Sequence, residues 1–149
     1  MTQECKIEIA FGIPEHGWLP ITFHWQDFHL AIDASDVPVD PVQQLVTMLI
    51  QLNKGIQRPD EILWNLEPEC YYLQIENISH QYHVQLFHAT DFSSSRTLIK
   101  EFTGNYSQII LPFYRELKKF NSYAYKAPHW DKIDPGRIDL LTTLVSKNK

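Results

Sequence analysis

The sequence predicts an α+β fold in which an antiparallel β-sheet packs against helices. Three observations carry this expectation. Short segments alternate apolar and polar residues, several of them adjoin as hairpins, and Asp-Pro twice opens a run of apolar residues at helical spacing. The 149 residues, 44% hydrophobic and 21% charged, suit one globular domain spanning 1–149 with a core of its own. No internal repeat, low-complexity tract or interdomain linker divides the chain.

Residues 5–11 read as a half-buried strand with Ile7, Ile9 and Phe11 inward, ended by Gly12 and Pro14. After a loop at 15–20, a two-residue turn at Gln26-Asp27 sets Trp25 against Phe28, Phe23 against Leu30 and Ile21 against Ile32. That register sends Thr22, His24, His29 and Ala31 to the other side; a longer loop is the alternative, because Gln-Asp is not a favoured turn pair. Asp40-Pro41 supplies an N-cap and a proline in the first turn, followed by Val42, Leu45, Val46, Leu49 and Leu52 on one helical face, with Gly55 as the stop. Residues 61–65 form a short strand, and 70–76 and 82–88 form a hairpin with Tyr71, Leu73 and Ile75 facing the same way as Tyr82, Val84 and Leu86. A polar loop at 90–96 leads to an edge strand at 97–102. Tyr106, Ile109, Ile110, Phe113, Leu117 and Phe120 share a helical face, and Pro112 either kinks that helix or starts it. An aromatic linker at 121–130 precedes the second Asp-Pro, at 134–135, and a final helix carrying Ile138, Leu141, Leu144 and Val145.

Composition excludes several classes. No apolar run approaches the ~20 residues that span a bilayer, and the polar, acidic start is not a signal peptide, so a cytoplasmic protein is expected. Cys5 and Cys70 lack a CxxC or secretory context and read as packing residues. The net charge of −5 argues against a nucleic-acid binder. Charge is uneven, with 5 basic against 13 acidic residues in 1–100 and 8 against 5 in 101–149. An acidic surface steers cationic partners toward it, although the two halves can also complement each other within the fold.

Catalytic motifs are lacking. There is no HExxH, nucleophile elbow or phosphate-binding loop, and the five glycines are scattered. No cofactor is expected. His24 and His29 become cross-strand neighbours if the turn is tight, with Asp27 and Asp33 close in sequence. Two imidazoles and a carboxylate suit zinc, which makes a small metal-dependent hydrolase an alternative reading. Which of His80, His83 and His88 would complete such a site is not legible, and His83 and His88 point to opposite faces of one strand. Glu67 and Glu69 could share acid–base work only if a partner shifted one pKa.

Binding is the stronger reading. Asp36, in the stretch 33–41, and Glu67 and Glu69, in 66–69, lie in exposed loops, with Asp40 taken by the helix cap. Tyr72, opposite the inward set, and Trp130, in the 123–130 run, are candidate aromatic anchors. Trp130 is as well suited to packing, and Tyr123 is better suited to it.

The run Gly17-Trp18-Leu19-Pro20, a hairpin, Asp33-Ala34-Ser35-Asp36-Val37-Pro38, Asp40-Pro41 and Trp64-Asn65-Leu66-Glu67-Pro68-Glu69 resembles a family of small bacterial α+β proteins with no assigned activity. In size, acidity and absence of catalytic motifs the chain is also similar to immunity proteins of contact-dependent toxin systems, a likeness that implies a protein-binding role and carries no residue with it. The expected function is therefore a non-catalytic domain that neutralises a basic partner such as a toxin, with Asp36, Glu67, Glu69, Tyr72 and Trp130 at the contact. A homodimeric module using a sheet edge is the third reading.

Overall fold

In a computed structural model, which describes residues 5–123 and 129–148, the alternating segments form seven strands and the periodic segments three helices. In chain order these are β1 (Glu8–Phe11), β2 (Trp18–Trp25), β3 (Phe28–Ser35), α1 (Pro41–Asn53), β4 (Ile62–Asn65), β5 (Cys70–Ile78), β6 (Gln81–Ala89), β7 (Thr97–Gly104), α2 (Tyr106–Asn121) and α3 (Pro135–Asn148). The strands form one antiparallel sheet in sequence order, confirming the α+β class. No helix among the described residues is long and apolar enough to cross a membrane.

The β2–β3 hairpin has the tight turn: Trp25 opposes Phe28, Phe23 opposes Leu30 and Ile21 opposes Ile32. Gln26 takes φ 52° to make the turn, which overrides its poor turn propensity because every inward residue is then correctly placed. The β5–β6 hairpin is longer than the sequence suggests, closing with Ile78 opposite Gln81. Ser79 and His80 both have positive φ, and the Asn77 side chain accepts from His80 N–H to hold the turn.

Neighbouring strands are uneven partners at the centre, where β3 and β4 meet only at Ser35 and Asn65. That pair belongs to a continuous row across the sheet, Trp18–Ser35–Asn65–Cys70–Ala89. On the inner face the sheet curls until Phe23 of β2 meets Trp64 of β4 at 5.9 Å and Phe102 of β7 at 6.2 Å. Trp25 stacks on Phe102 at 4.1 Å. These residues join Leu45, Leu49, Phe113, Leu117 and Leu141 of the helices in one large core cluster.

Pro112 lies inside α2, which starts at Tyr106 behind an Asn105–Gln108 capping box. Its missing N–H releases the Gln108 carbonyl, and that oxygen accepts from Ile7 N–H, just before β1, at 3.0 Å. One turn further on, buried Glu116 accepts from Phe11 N–H at 3.0 Å. Helix α2 thus covers the outer edge of β1. The opposite edge, β7, keeps exposed Leu98 and Ile99 beside a register shift between Leu86 and Phe87.

Candidate functional site

Four loops leave the central row: 12–17, 36–40, 66–69 and 90–96. They contain the carboxylates Glu15, Asp36, Asp40, Glu67, Glu69 and Asp91 against one Arg or Lys, Arg96. The structure brings Asp36, Glu67 and Glu69 into one region because Asn65 links their loops. Its side-chain amide donates to the Val37 carbonyl at 2.6 Å, and its side-chain oxygen accepts from Glu67 N–H at 3.0 Å. Ser35 Oγ accepts from Val37 N–H, which fixes the start of the same loop. The valines between these acids stand in solvent, Val37 at 57% and Val39 at 45% exposure.

The third loop joins through Gly17. Asp36 N–H donates to the Gly17 carbonyl at 3.0 Å, and Gly17 N–H donates to the His129 carbonyl at 2.8 Å. Gly17 has φ +82°, and a Cβ there would come within 2.9 Å of Asp36 Oδ1, so any other residue would be strained in its backbone and would displace the Asp36 carboxylate. The His16 and His129 rings lie 4.7 Å apart, with His129 Nδ1 accepting from His16 N–H.

The acids differ in their engagement. Asp40 caps α1, and burial pushes its pKa up to about 6 against the lowering effect of its bonds from Val42 and Gln43 N–H, with Asp36 adding to the rise. Glu69 lies 3.3 Å from His88 Nε2 and accepts from the Tyr71 hydroxyl at 3.5 Å. Asp36 and Glu67 pair with no cationic side chain among the described residues.

The two aromatic anchors need correction. Trp130 is 1% exposed and belongs to the main core. The Gly17–His129 bond pins its segment across the β1–β2 loop, and its indole N–H, without a partner of full hydrogen-bond geometry, still lowers the Asp40 pKa slightly. Tyr72 does point away from the inward set but is 8% exposed, in a small cluster with Cys70 and Ala89. The Arg96 guanidinium lies 3.5 Å from its ring centroid and makes a bidentate pair with Glu61 at 2.7 and 2.8 Å. Burial raises the Glu61 pKa, but the Arg96 and Gln74 contacts outweigh it and leave the carboxyl below its usual range. Tyr123 packs as expected, its ring 5.8 Å from Phe120. The rest of the aromatic run, 124–128, lies outside the described residues.

What sequence reasoning missed is the apolar content of the loops. Of the ten large hydrophobic side chains most exposed among the described residues, Ile13, Trp18, Val37, Val39, Phe92 and Leu98 lie in these loops or at the strand ends they leave. From β2 to β6 the row crosses four strand spacings, about 19 Å at ~4.8 Å each, within the width of one ordinary protein interface of about 800 Å² per partner.

Other regions hold less. A cleft of about 430 Å³, where the segment before β4 meets β5 and β6, is bordered by Arg58, Glu61, Glu76 and Gln85, but its charges are already paired, Arg58 with Glu76 at 2.6 Å and Glu61 with Arg96. His24 and His29 are neighbours, as expected from the turn. His80, His83 and His88 sit on the other hairpin, and no three His, Cys, Asp or Glu side chains among the described residues are disposed to hold a metal together. No protein-family model matches the chain, and neither the curated proteins nor the solved structures yield a match.

Proposed function

We propose that the chain is a non-catalytic, cytoplasmic protein-binding domain that neutralises a basic partner in the manner of an immunity protein, meeting it through the loops of the central row. The observation that carries this reading is the mixture of exposed Val37 and Val39 with Asp36 and Glu67, carboxylates without a cationic partner among the described residues. Apolar side chains inside a charged rim are the usual anatomy of a specific interface, and the rim sign selects a cationic surface opposite.

The test starts from tagged protein captured from its native cells at low salt, followed by association kinetics with the recovered partner. Replacing Asp36, Glu67 and Glu69 with Asn or Gln should slow association and flatten its salt dependence, because rim charges act on encounter. Replacing Val37 and Val39 with Ser should speed dissociation with little change in the on-rate. A partner whose two rates are the same in both variants would remove these loops from the interface.

A further inference from the structure

Glu8, His24 and His29 stand side by side on β1, β2 and β3. The register pairs Glu8 with His24 and His24 with His29, so all three side chains leave the face opposite the helical core. Residues so opposed hold their Cβ atoms about 4.5–5.5 Å apart, and the two imidazole centroids are 5.7 Å apart at 68°. Glu8 Oε2 lies 3.0 Å from His24 Nδ1. A carboxylate there takes the Nδ1 proton as its hydrogen bond and leaves the lone pair on Nε2, which is how ligating histidines are commonly oriented. His29 is exposed, and no hydrogen bond or ion pair among the described residues engages its ring nitrogens. Both rings border a surface cleft of about 560 Å³ that also touches Ile7, Thr22 and Pro112, so a ligand has room beside them.

We propose that His24 and His29 form a two-histidine site for a divalent transition-metal ion of the zinc type, with Glu8 as a positioning residue on His24 and water filling the remaining coordination. Paired imidazoles suit Zn²⁺ and its transition-metal neighbours, whereas Ca²⁺ and Mg²⁺ call for oxygen ligands. Two protein ligands make this an open site, unlike a closed four-ligand structural one. The His16–His129 pair is the rival, but His129 Nδ1 already accepts from His16 N–H, and no carboxylate orients either ring among the described residues. The proposal does not depend on the protein-binding loops.

The experiment titrates the purified full chain with Zn²⁺ by calorimetry while following histidine ring signals by NMR. One equivalent should bind, with the His24 and His29 rings shifting. His24→Asn and His29→Asn should each abolish saturable binding, and Glu8→Gln should weaken it by about 10–100-fold, the usual cost of losing such a carboxylate. His16→Asn and His129→Asn should leave binding intact, and circular dichroism confirms that every variant is folded. Absence of saturable Zn²⁺ binding to the wild type, its survival in folded His24→Asn or His29→Asn, or its loss on substituting His16 or His129 would overturn the site.

Discussion

Replacing Asp40 with Asn separates two roles that one carboxylate combines. Asp40 Oδ1 accepts from Val42 N–H at 2.8 Å and Gln43 N–H at 3.3 Å, satisfying donors at the start of α1. Burial nevertheless raises its pKa from an ordinary 3.8 to about 6. Below the lower value the group is neutral in both folded and unfolded chains and the environment costs nothing. Stability is then lost as pH rises from there through the folded value, and above it the full penalty applies. The interval from 3.8 to about 6 converts, at about 1.4 kcal/mol per pH unit, to a penalty of about 3 kcal/mol. By the same linkage it is about 1 kcal/mol at about pH 4.5 and about 3 kcal/mol at about pH 7.5. Asn caps helices as well as Asp, and the attraction of the ionised Asp40 to the helix N-terminus is already contained in its folded pKa. Asp40→Asn should therefore be more stable than wild type by about 1 kcal/mol at about pH 4.5 and by about 3 kcal/mol at about pH 7.5. Urea unfolding at both pH values measures the difference. A variant whose advantage fails to grow with pH, or one that is less stable at the higher pH, would refute the view that burial outweighs the cap.

Three further outcomes are expected. Glu116→Ala strands the Phe11 N–H that its carboxylate accepts from and should cost about 2 kcal/mol in urea unfolding, whereas Glu116→Gln keeps an acceptor and should cost less; equal losses would count against the bond. Gly17→Ala forces a side chain into a left-handed conformation against Asp36 and should lower stability by about 1–2 kcal/mol, read as a reduced Tm. A double-mutant cycle on Arg96→Ala and Tyr72→Leu should give a coupling of about 0.5–1 kcal/mol from the cation–ring contact, and zero coupling would show the contact contributes nothing.

Where burial alone fixes a choice, the sequence was sufficient. The β2–β3 register followed from sorting Ile21, Phe23 and Trp25 to one face, and the structure has that pairing despite an unfavoured turn. Glu8 was equally visible as an outward residue between Ile7 and Ile9, but its place beside His24 depends on strand pairing, which alternation does not specify. The position of Pro112 inside α2 is decided by Ile7, whose N–H takes the carbonyl that the proline leaves open. No local pattern contains that contact. Trp130 was ambiguous for the same reason: it lies in a loop without periodicity, and what buries its segment is a backbone bond from Gly17 far away in the chain. The acidic loops could be read as exposed, whereas their joining through Asn65 needed two strands to meet at a single residue pair.

The treatment of the sheet edges bears on how a partner would be met. A partner adding a strand needs an edge with free backbone groups. At β1, α2 already occupies Ile7 and Phe11 N–H through Gln108 and Glu116, so strand addition there would require the helix to leave the sheet. At β7 the edge is open, but a register shift interrupts it and Lys100 sits at its middle, the devices by which edges resist pairing. The loops at 12–17, 36–40 and 66–69 have neither obstacle: their backbone is tied by Asn65, Ser35 and Gly17, and Val37 and Val39 stand outward as side chains. Recognition at such a surface rests on side-chain shape and charge rather than on a shared β-ladder. For the proposed contact, that would make specificity for one partner attainable with few residues, and substituting Val37, Val39, Asp36 or Glu67 should then change binding without disturbing the sheet.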